Sequence, residues 1–591
     1  MMAPAATQWQ GGADEAAFLG TLNTDAPWEL IHEFANYVRE SGTEGEQQAV
    51  DAITRRLTAW GIPHTVHHPR CFISLPRGAT VNVTLTDGAA RTLRGTTPGF
   101  AVPTGDEGIT APAVAIEAAH ATSVSAIFTS GLGNALAGQD VAGKIAVLNG
   151  LPMPARIGDL TAAGVAAAVF TSPGTNVHEG ICTPVWGTPD LDTIGAIPTL
   201  SVAEVNRPDG LWLMEQARAG AVREVTVRTN LETRWREIPV TVAEIRGATA
   251  PEEFVLVHGH LDSWGEGIGD NATGDATLLE LARALHENRQ NLARSVRIAW
   301  WSGHSHGRYA GSTWYADTFG LDLIEHCVAQ VNCDSPGCRW ATEYRNLSYT
   351  PDLAAFTQAV IRDVAGLPAE GERPPRAGDY SFNNLGISGT LMLSSTMPQS
   401  VADAHGYYAV GGCGGNIAWH TVDDTLEIAD RENLKRDIEV YGGVVWRLAN
   451  APIVPLDLAA AGEDIKDSLM GYQQALGGRF DLSDAIAAAD AFIAVASVFA
   501  PSAGDAAVGK EANAKILRAG RELTALNFAQ RGWFRQEPAL DVPSIPDLAA
   551  AVHAYSESPD ESDTAGVALT SLVRARNRSI WALKEATREI S

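Results

Sequence analysis

Residues of the types that bind divalent metals follow predicted strands or loops at several places in the chain. His260, and Asp270 ten residues later, come after the short apolar run 254–257. Asp334 directly follows a second apolar run, and His420 follows a glycine-rich loop. Imidazole nitrogens and carboxylate oxygens both suit zinc and the neighbouring first-row metals. The sequence therefore indicates a metal site built from four residues that lie far apart in the chain.

A strand, a loop and a helix must position the first two of these residues. The run 254–257 is typical of a buried strand, and residues 276–285 repeat apolar side chains at helical spacing. Open α/β sheets bind ligands just beyond the carboxyl ends of their strands, which is where His260 falls. Asp262 is placed to orient His260 and fix its tautomer. A simpler interpretation of Asp270 is a helix N-cap.

Four sequence blocks carry a family resemblance. In chain order they are GHLDSW, GIGDNATGDATLLELAR, VNCD and WHTVDDT. Their order and approximate spacing resemble the co-catalytic zinc peptidase family that includes glutamate carboxypeptidase and bacterial aminopeptidases. In that family two metals about 3.5 to 4 Å apart share a bridging Asp and activate a water. The resemblance implies that Asp270 is the bridge, that His260 and Asp334 complete one metal, and that His420 binds the other.

The chain departs from that family at its catalytic pair. Family members carry Glu-Glu after the next strand, the first as general base and the second as a metal ligand. Residues 301–307 read WSGHSHG here, which puts His304 at the base position and Ser305 at the ligand position. A serine hydroxyl brings no charge and is hard to deprotonate. We therefore expect the second metal to be weakened, lost or held differently.

His304 and His306 are the candidates for the missing roles. One imidazole could replace the carboxylate ligand, while the other, with an unperturbed pKa of about 6.5, accepts a proton. We take His304 as the base and His306 as a fifth ligand, and the reverse assignment stays open. Two alternatives are a loop of merely solvated histidines and a decayed site like that of the transferrin receptor, a relative without the chemistry. Retention of the other ligand positions favours an altered active site over a decayed one.

Composition limits the partners and the compartment. The 591 residues are too many for one core and suggest several domains. A formal net charge of -27 disfavours nucleic acid and anionic membranes as partners. The first residues lack a basic start followed by an apolar segment, and no apolar window is long enough to span a bilayer, so we expect a cytoplasmic protein. The six cysteines show no paired metal-type spacing and are expected to be thiols.

Four regions follow from the motifs and the resemblance, within an α/β fold whose mixed sheet is flanked by helices. Residues 113–232 resemble an inserted protease-associated domain, whose usual role is to cover the active site. This insertion separates residues 1–112 from residues 233–450, the two parts of a peptidase-like domain. Residues 451–591 indicate a helical domain that resembles the dimerisation domain of the glutamate carboxypeptidase and transferrin receptor branch. The resemblance therefore implies a homodimer.

We expect a metal-dependent hydrolase that cleaves a peptide or amide bond in a small substrate. Its cofactor would be one or two divalent ions, with zinc expected and iron or manganese as alternatives. A second hypothesis is a mononuclear enzyme that runs another hydrolysis or an elimination, which the His-Ser replacement keeps open. A third is a non-catalytic, receptor-like scaffold that binds no metal.

Overall fold

The computed structural model describes residues 8–119, 121–499 and 506–591. In the described residues the strands are, in chain order, β1 (His64–His67), β2 (Arg70–Leu85), β3 (Ala90–Thr96), β4 (Ile109–Ala111), β5 (Ala113–Ile116), β6 (Ile145–Asn149), β7 (Ala167–Thr171), β8 (Val202–Val205), β9 (Val222–Glu237), β10 (Val240–Ile245), β11 (Ala250–His260), β12 (Arg294–Trp301), β13 (Cys327–Asn332), β14 (Tyr344–Ser348), β15 (Ala369–Glu372) and β16 (Gly389–Thr390).

The α-helices of the same residues alternate with the later strands and then fill the carboxyl-terminal part. They are α1 (Gly12–Leu19), α2 (Asp25–Phe34), α3 (Glu44–Ala59), α4 (Val124–Thr129), α5 (Pro154–Ala162), α6 (Arg207–Arg218), α7 (Thr273–Glu287), α8 (Ala310–Thr318), α9 (Gly320–His326), α10 (Ala354–Ala365), α11 (Gln399–His405), α12 (Arg431–Asn450), α13 (Leu458–Leu476), α14 (Ser483–Val498), α15 (Ala506–Phe528), α16 (Pro546–Glu557) and α17 (Asp563–Ile590).

A six-stranded mixed sheet forms the centre, in the order β1-β10-β12-β11-β13-β16. Strands β11, β12, β13 and β16 are parallel, whereas β1 and β10 are antiparallel to their neighbours. The apolar run in β11 is continuous because both faces of this strand are covered by helices. Because β11, β12 and β13 are parallel, their carboxyl ends lie at one edge of the sheet.

Side chains alternate between the two faces of β11, and each face has its own helices. Val255 and Val257 join the core formed with α2, α3, α7, α10 and α12. Phe254 and Leu256 join the opposite core, to which α8 and α9 contribute. The strand at 254–257 and the helix at 276–285, both inferred from the sequence, are thus present as parts of β11 and α7. The fold-class prediction of a mixed α/β sheet flanked by helices is confirmed.

A second, eight-stranded sheet has the order β4-β9-β2-β3-β8-β7-β6-β5. It contains the strands of the region 113–232 that the sequence indicates as an insertion, but it also takes in β2, β3 and β4 from the region 1–112 assigned to the peptidase-like part. The reason is long-range pairing, because β9 runs antiparallel to β2 along almost its whole length. This sheet and its helices are called the second-sheet unit below, and its identity as a protease-associated domain stays a prediction.

Helices α13 to α17 form the carboxyl-terminal part, as predicted. Ile465, Leu523 and Leu572, from α13, α15 and α17, belong to the same buried cluster as the helix-covered face of the central sheet. The helical part therefore packs on the sheet rather than standing apart. Among the helices of the described residues, none combines the length and apolar character needed to cross a membrane.

Candidate metal and catalytic site

Asp270 lies at the centre of the site, in the loop between β11 and α7. Its side chain is buried, and its Oδ1 atom is 3.0 Å from Nε2 of His260. Its Oδ2 atom is 3.0 Å from Nε2 of His420. The backbone amides of Gly269 and Asp270 donate to the carboxylate of Asp424, at 2.6 and 3.0 Å, which fixes the loop. The N-cap of α7 is Ala272, so Asp270 does not serve as the cap.

The fourth predicted ligand joins the same cluster. Asp334 follows β13 directly, and its Oδ2 atom is 3.7 Å from Nε2 of His260. Both side chains are buried. Strand β13 is the parallel neighbour of β11, so the two residues emerge beside each other at the same edge of the sheet. The structure therefore brings His260, Asp270, Asp334 and His420 together.

The hydrogen bonds of the two histidines fix their tautomers. Nδ1 of His260 is 2.9 Å from the carbonyl oxygen of Asp262, and Nδ1 of His420 is 2.7 Å from the carbonyl oxygen of Glu179. A carbonyl oxygen only accepts, so each neutral ring carries its proton on Nδ1. Each Nε2 lone pair then faces a carboxylate oxygen of Asp270. Two acceptors at this distance repel each other unless a proton or a metal cation lies between them.

A divalent metal suits this donor set. Ligand nitrogen and oxygen atoms about 2.0 to 2.2 Å from one zinc ion lie about 3.0 to 3.4 Å from each other at angles near 90 to 109°. The two separations around Asp270 are at the lower end of that range. Asp270 presents one oxygen to each imidazole, so its carboxylate lies between the two histidines.

The electrostatics of the cluster also call for positive charge. Burial and the charge of Asp270 both raise the pKa of Asp334. Burial alone would raise the pKa of Asp270, but its contacts with His260 and His420 hold it well below the usual value. Burial alone would lower the pKa of His260, yet Asp270 and Asp334 raise it well above the ordinary range. Two buried carboxylates that repel each other are stabilised by any cation that they share.

Of the two histidines in the segment 301–307, His304 is the one that joins the cluster. It follows β12, and its ring stacks on that of His260, with centroids 3.7 Å apart. One ligand atom from each of His260, His304 and Asp334 lies within 4.8 Å of the others. Nδ1 of His304 is 2.8 Å from Oδ2 of Asp379, so Nε2 is the free ring nitrogen.

Asp379, which the sequence analysis missed, holds His304 in place. Its other oxygen accepts a hydrogen bond from Ser312 Oγ at 2.6 Å. Burial would raise the pKa of Asp379, but the charge of His304 and these hydrogen bonds keep it below the usual value. The carboxylate is therefore ionised and fixes the tautomer of His304. Asp379 lies in an irregular segment without a motif, so no sequence signal marked it.

The role predicted for Asp262 requires a correction. Its backbone carbonyl, not its carboxylate, orients His260. The carboxylate instead accepts the backbone amides of His304 and Ser305, at 3.0 and 2.8 Å, and the hydroxyl of Ser41 at 2.7 Å. These buried donors need an acceptor, and the carboxylate turns toward them. Asp262 thus shapes the loop that carries His304.

His306 also differs from its predicted role as a metal ligand. It is fully buried, with Nδ1 3.1 Å from Ser41 Oγ and 3.5 Å from Oδ2 of Asp262. Its ring packs against Trp264, with centroids 4.3 Å apart. Among the carboxylates of the described residues, only that of Asp262 lies within ion-pair distance of it. Ser41 and Asp262 therefore hold His306 away from the cluster that His304 joins.

A cavity opens onto the cluster, and most of its wall is apolar. Apolar and aromatic residues of the wall include Phe128, Leu151, Met153, Trp264, Met392 and Trp419. Two charged residues of the wall lie outside the cluster, Glu179 and Arg308. The guanidinium of Arg308 donates to the carbonyl oxygens of Ile181 and Thr183, at 2.6 and 3.2 Å. No hydrogen bond or ion pair to another described residue engages the Glu179 carboxylate, and nothing in the sequence had marked Glu179.

Comparison with known proteins gives matches to one family. Residues 241–443 match Peptidase family M28. An aminopeptidase of Mus musculus is 26% identical over 299 residues, which cover 44% of this chain and 38% of that protein. Transferrin receptor protein 1 of Gallus gallus is 25% identical over 166 residues, 27% of this chain and 20% of the receptor. The chain thus spans less than half the length of these relatives.

The fold has a counterpart among solved structures. A zinc aminopeptidase of Bacillus subtilis superposes with a TM-score of 0.54 at 18% identity, over 74% of this chain and 98% of that one. At this identity the match speaks for the fold alone. The resemblance inferred from the four sequence blocks is confirmed: the chain resembles the aminopeptidases and glutamate carboxypeptidases of peptidase family M28.

Proposed function

We propose that the chain is a metal-dependent hydrolase of peptide or amide bonds with an altered second metal position. The observation that carries this proposal is the geometry around Asp270, whose two oxygens each face one imidazole at 3.0 Å. The match to Peptidase family M28 and the relatives named aminopeptidases support the same reaction. In this proposal His260, Asp270 and Asp334 would hold one cation.

A divalent cation at this position, with zinc expected from the relatives, supplies Lewis-acid polarisation of a carbonyl group and lowers the pKa of a water molecule. The residues of the chain do the rest. Asp379 accepts a hydrogen bond from Nδ1–H of His304, which leaves Nε2 as the base. Nε2 takes a proton from the attacking water and then delivers it to the amine that leaves. An imidazole suits both steps because this side chain can accept a proton and then donate it.

The second cation position would be the altered one. His420 and Asp270 would be its two donors, and Ser305 stands where the resemblance implies a further carboxylate ligand. The amide of Ser305 donates to the Asp262 carboxylate, and its hydroxyl lies 3.4 Å from the Asp262 carbonyl oxygen. A neutral hydroxyl engaged in this way does not replace a carboxylate ligand. We therefore expect one tightly bound ion and a second bound weakly.

The cavity wall favours a substrate with an apolar side chain and a free amino group. Two of the three guanidinium nitrogens of Arg308 donate to backbone carbonyls, so this cation is already partly engaged by the protein. The Glu179 carboxylate has no partner among the described residues, and it suits an ammonium group. The second-sheet unit, which supplies Glu179, would act as the predicted protease-associated cover of the site.

A mononuclear metalloenzyme is the second candidate, and one observation favours it. His260, His304 and Asp334 form a cluster of two histidines and one carboxylate. That donor set is typical of non-haem iron sites that keep open positions. In this case His304 is a ligand rather than a base, and the reaction is another hydrolysis or an elimination.

Metal content and amide hydrolysis, measured on the same full-length preparation, test the proposal. We expect at least one tightly bound zinc per chain and cleavage of aminoacyl p-nitroanilides by the zinc-loaded protein. Asp270→Asn should abolish both, whereas Asp484→Asn, on the surface helix α14, should change neither. Tight iron without amide hydrolysis would favour the mononuclear alternative. A protein that retains no ion after incubation with excess metal would favour the scaffold.

A further inference from the structure

We propose that residues 172–182 of the second-sheet unit clamp His420, so that metal binding and the docking of this unit are linked. The inference rests on the proposed metal site, since it concerns the orientation of one of its ligands. Neither the motifs nor the resemblance assigns a role to this segment. Its function would be to position a ligand, not to touch the substrate.

Three hydrogen bonds join two adjacent residues of the segment to two adjacent residues of the site. Nδ1 of His178 is 2.6 Å from the carbonyl oxygen of Trp419. The backbone amide of Glu179 donates to the carbonyl oxygen of His420 at 2.8 Å. Nδ1 of His420 in turn donates to the carbonyl oxygen of Glu179 at 2.7 Å. The last bond leaves Nε2 of His420 to face Asp270.

His420 needs such support because its backbone is unfavourable. Its φ is +58°, in the left-handed region that residues other than glycine seldom adopt. A strained conformation of this kind persists only when surrounding contacts determine it. The two backbone hydrogen bonds from Glu179 and the bond from His178 to Trp419 are contacts of that type.

His178 is itself fixed at both ring nitrogens. Because the Trp419 carbonyl only accepts, Nδ1 of His178 is the donor, and Nε2 accepts a hydrogen bond from the hydroxyl of Tyr408 at 2.7 Å. The residue is buried, and its backbone amide donates to Ser172 Oγ at 3.1 Å. Both ring nitrogens of His178 therefore have hydrogen-bond partners, and the orientation of the ring is fixed.

Linkage follows from this arrangement. A cation bound through His420 stabilises the ring orientation that the clamp sets, and the clamp favours that orientation before the cation arrives. By thermodynamic necessity each event strengthens the other to the same degree. Changes in residues that orient metal ligands typically weaken metal binding by about 10- to 100-fold.

Metal titrations of His178 variants test the clamp without relying on activity. We expect His178→Leu to weaken binding of the lower-affinity Co²⁺ ion by at least about tenfold, as measured by chelator competition. The visible absorption of the bound Co²⁺ should change as well. His178→Asn keeps an N–H group near the position of Nδ1 and should restore most of the affinity. His553→Leu, at an exposed histidine of α16, controls for simple loss of an imidazole.

Hydrogen exchange supplies a second readout. In the wild-type protein, Co²⁺ should increase the protection of residues 172–182, and it should do so less in His178→Leu. The clamp would be overturned if folded His178→Leu bound Co²⁺ as tightly as the wild type does. It would also be overturned if Co²⁺ left the protection of residues 172–182 unchanged. A wild-type protein that binds no Co²⁺ at all would instead overturn the proposed function.

Discussion

At the scale of single residues, the chemistry depends on what His304 does. The His304–Asp379 pair resembles a base with its orienting carboxylate, whereas the stacking of His304 on His260 also puts it within reach of a ligand position. We expect His304→Gln to lower kcat/KM by about 10² to 10⁴ and to leave the tightly bound metal in place. Steady-state kinetics with metal analysis of the same sample measures both quantities.

A companion variant sharpens this test. Asp379→Asn keeps the size of the side chain but removes the charge that fixes the His304 tautomer, so it should reduce kcat more than it changes KM. Loss of the tight metal from His304→Gln would instead make His304 a ligand and favour the mononuclear alternative.

Glu179 should decide how the substrate's amino group is recognised. We expect Glu179→Gln to raise KM by about tenfold or more for a substrate with a free amino group, because a charge-assisted hydrogen bond is lost. The same peptide with an acetylated amino group serves as the matched comparison. If the variant and the wild type have the same KM for each of the two peptides, Glu179 has no part in recognition of the amino group. Steady-state kinetics on the pair of peptides gives the answer.

At the scale of elements, His258 in the central strand β11 should make stability depend on pH. It is fully buried, Nε2 donates to Gln330 Oε1 at 3.0 Å, and burial lowers its pKa to about 4. The unfolded chain binds a proton near pH 6.5, so between pH 6.5 and 4 the unfolded state takes up more protons. This contribution to stability is complete above pH 6.5 and is lost as the pH falls.

The variant His258→Gln isolates the effect because glutamine keeps an N–H donor for Gln330 and does not titrate. Relative to this variant, the wild type should lose about 2 kcal/mol of unfolding free energy between pH 6.5 and 5. Urea unfolding at the two pH values measures the difference. Parallel pH dependences for the two proteins would show that the imidazole is not buried in its neutral form.

Local patterns predict the elements, but contacts between distant segments decide the details of the site. The apolar run of β11 and the periodic α7 follow from nearest-neighbour chemistry, and their order places His260 and Asp270. Asp379, Glu179 and His178 carry no motif, because each acts through a partner far along the chain. The turn after β12 carries both His304 and His306, and contacts from distant residues decide which of them joins the cluster. The buried side chains of Ser41 and Asp262 contact His306 and hold it away. The extension of the second sheet likewise depends on the pairing of β2 with β9.

At the scale of the whole molecule, we expect a homodimer that forms through the carboxyl-terminal helices. Val567 and Trp581 on α17 are 70% and 60% exposed. They are fourteen residues apart, close to four helical turns, and so share one side of the helix. We expect a partner helix to cover these two side chains in the dimer that the resemblance implies. Sedimentation should give twice the 62.5 kDa chain mass, and Val567→Glu with Trp581→Glu should give the monomer.

Leu191, 97% exposed on the second-sheet unit, is the matched control. Leu191→Glu adds the same charge away from α17 and should leave the dimer intact. A wild-type protein that sediments as a monomer at micromolar concentration would contradict the dimer.

Metal removal should loosen the whole molecule, because the proposed ligands come from three separate segments. His260 and Asp270 flank the loop after β11, Asp334 follows β13, and His420 precedes α12, so a bound cation joins them. At a free metal concentration about 100-fold above the dissociation constant, binding adds about 2.7 kcal/mol to stability. A chelator should therefore lower the unfolding midpoint in differential scanning calorimetry, and added zinc should restore it. Asp270→Asn should unfold at a midpoint that the chelator no longer changes, which separates loss of the bound ion from a direct effect of the chelator. If the midpoint of the wild type also stays constant, the cluster holds no ion and the chain functions as a scaffold.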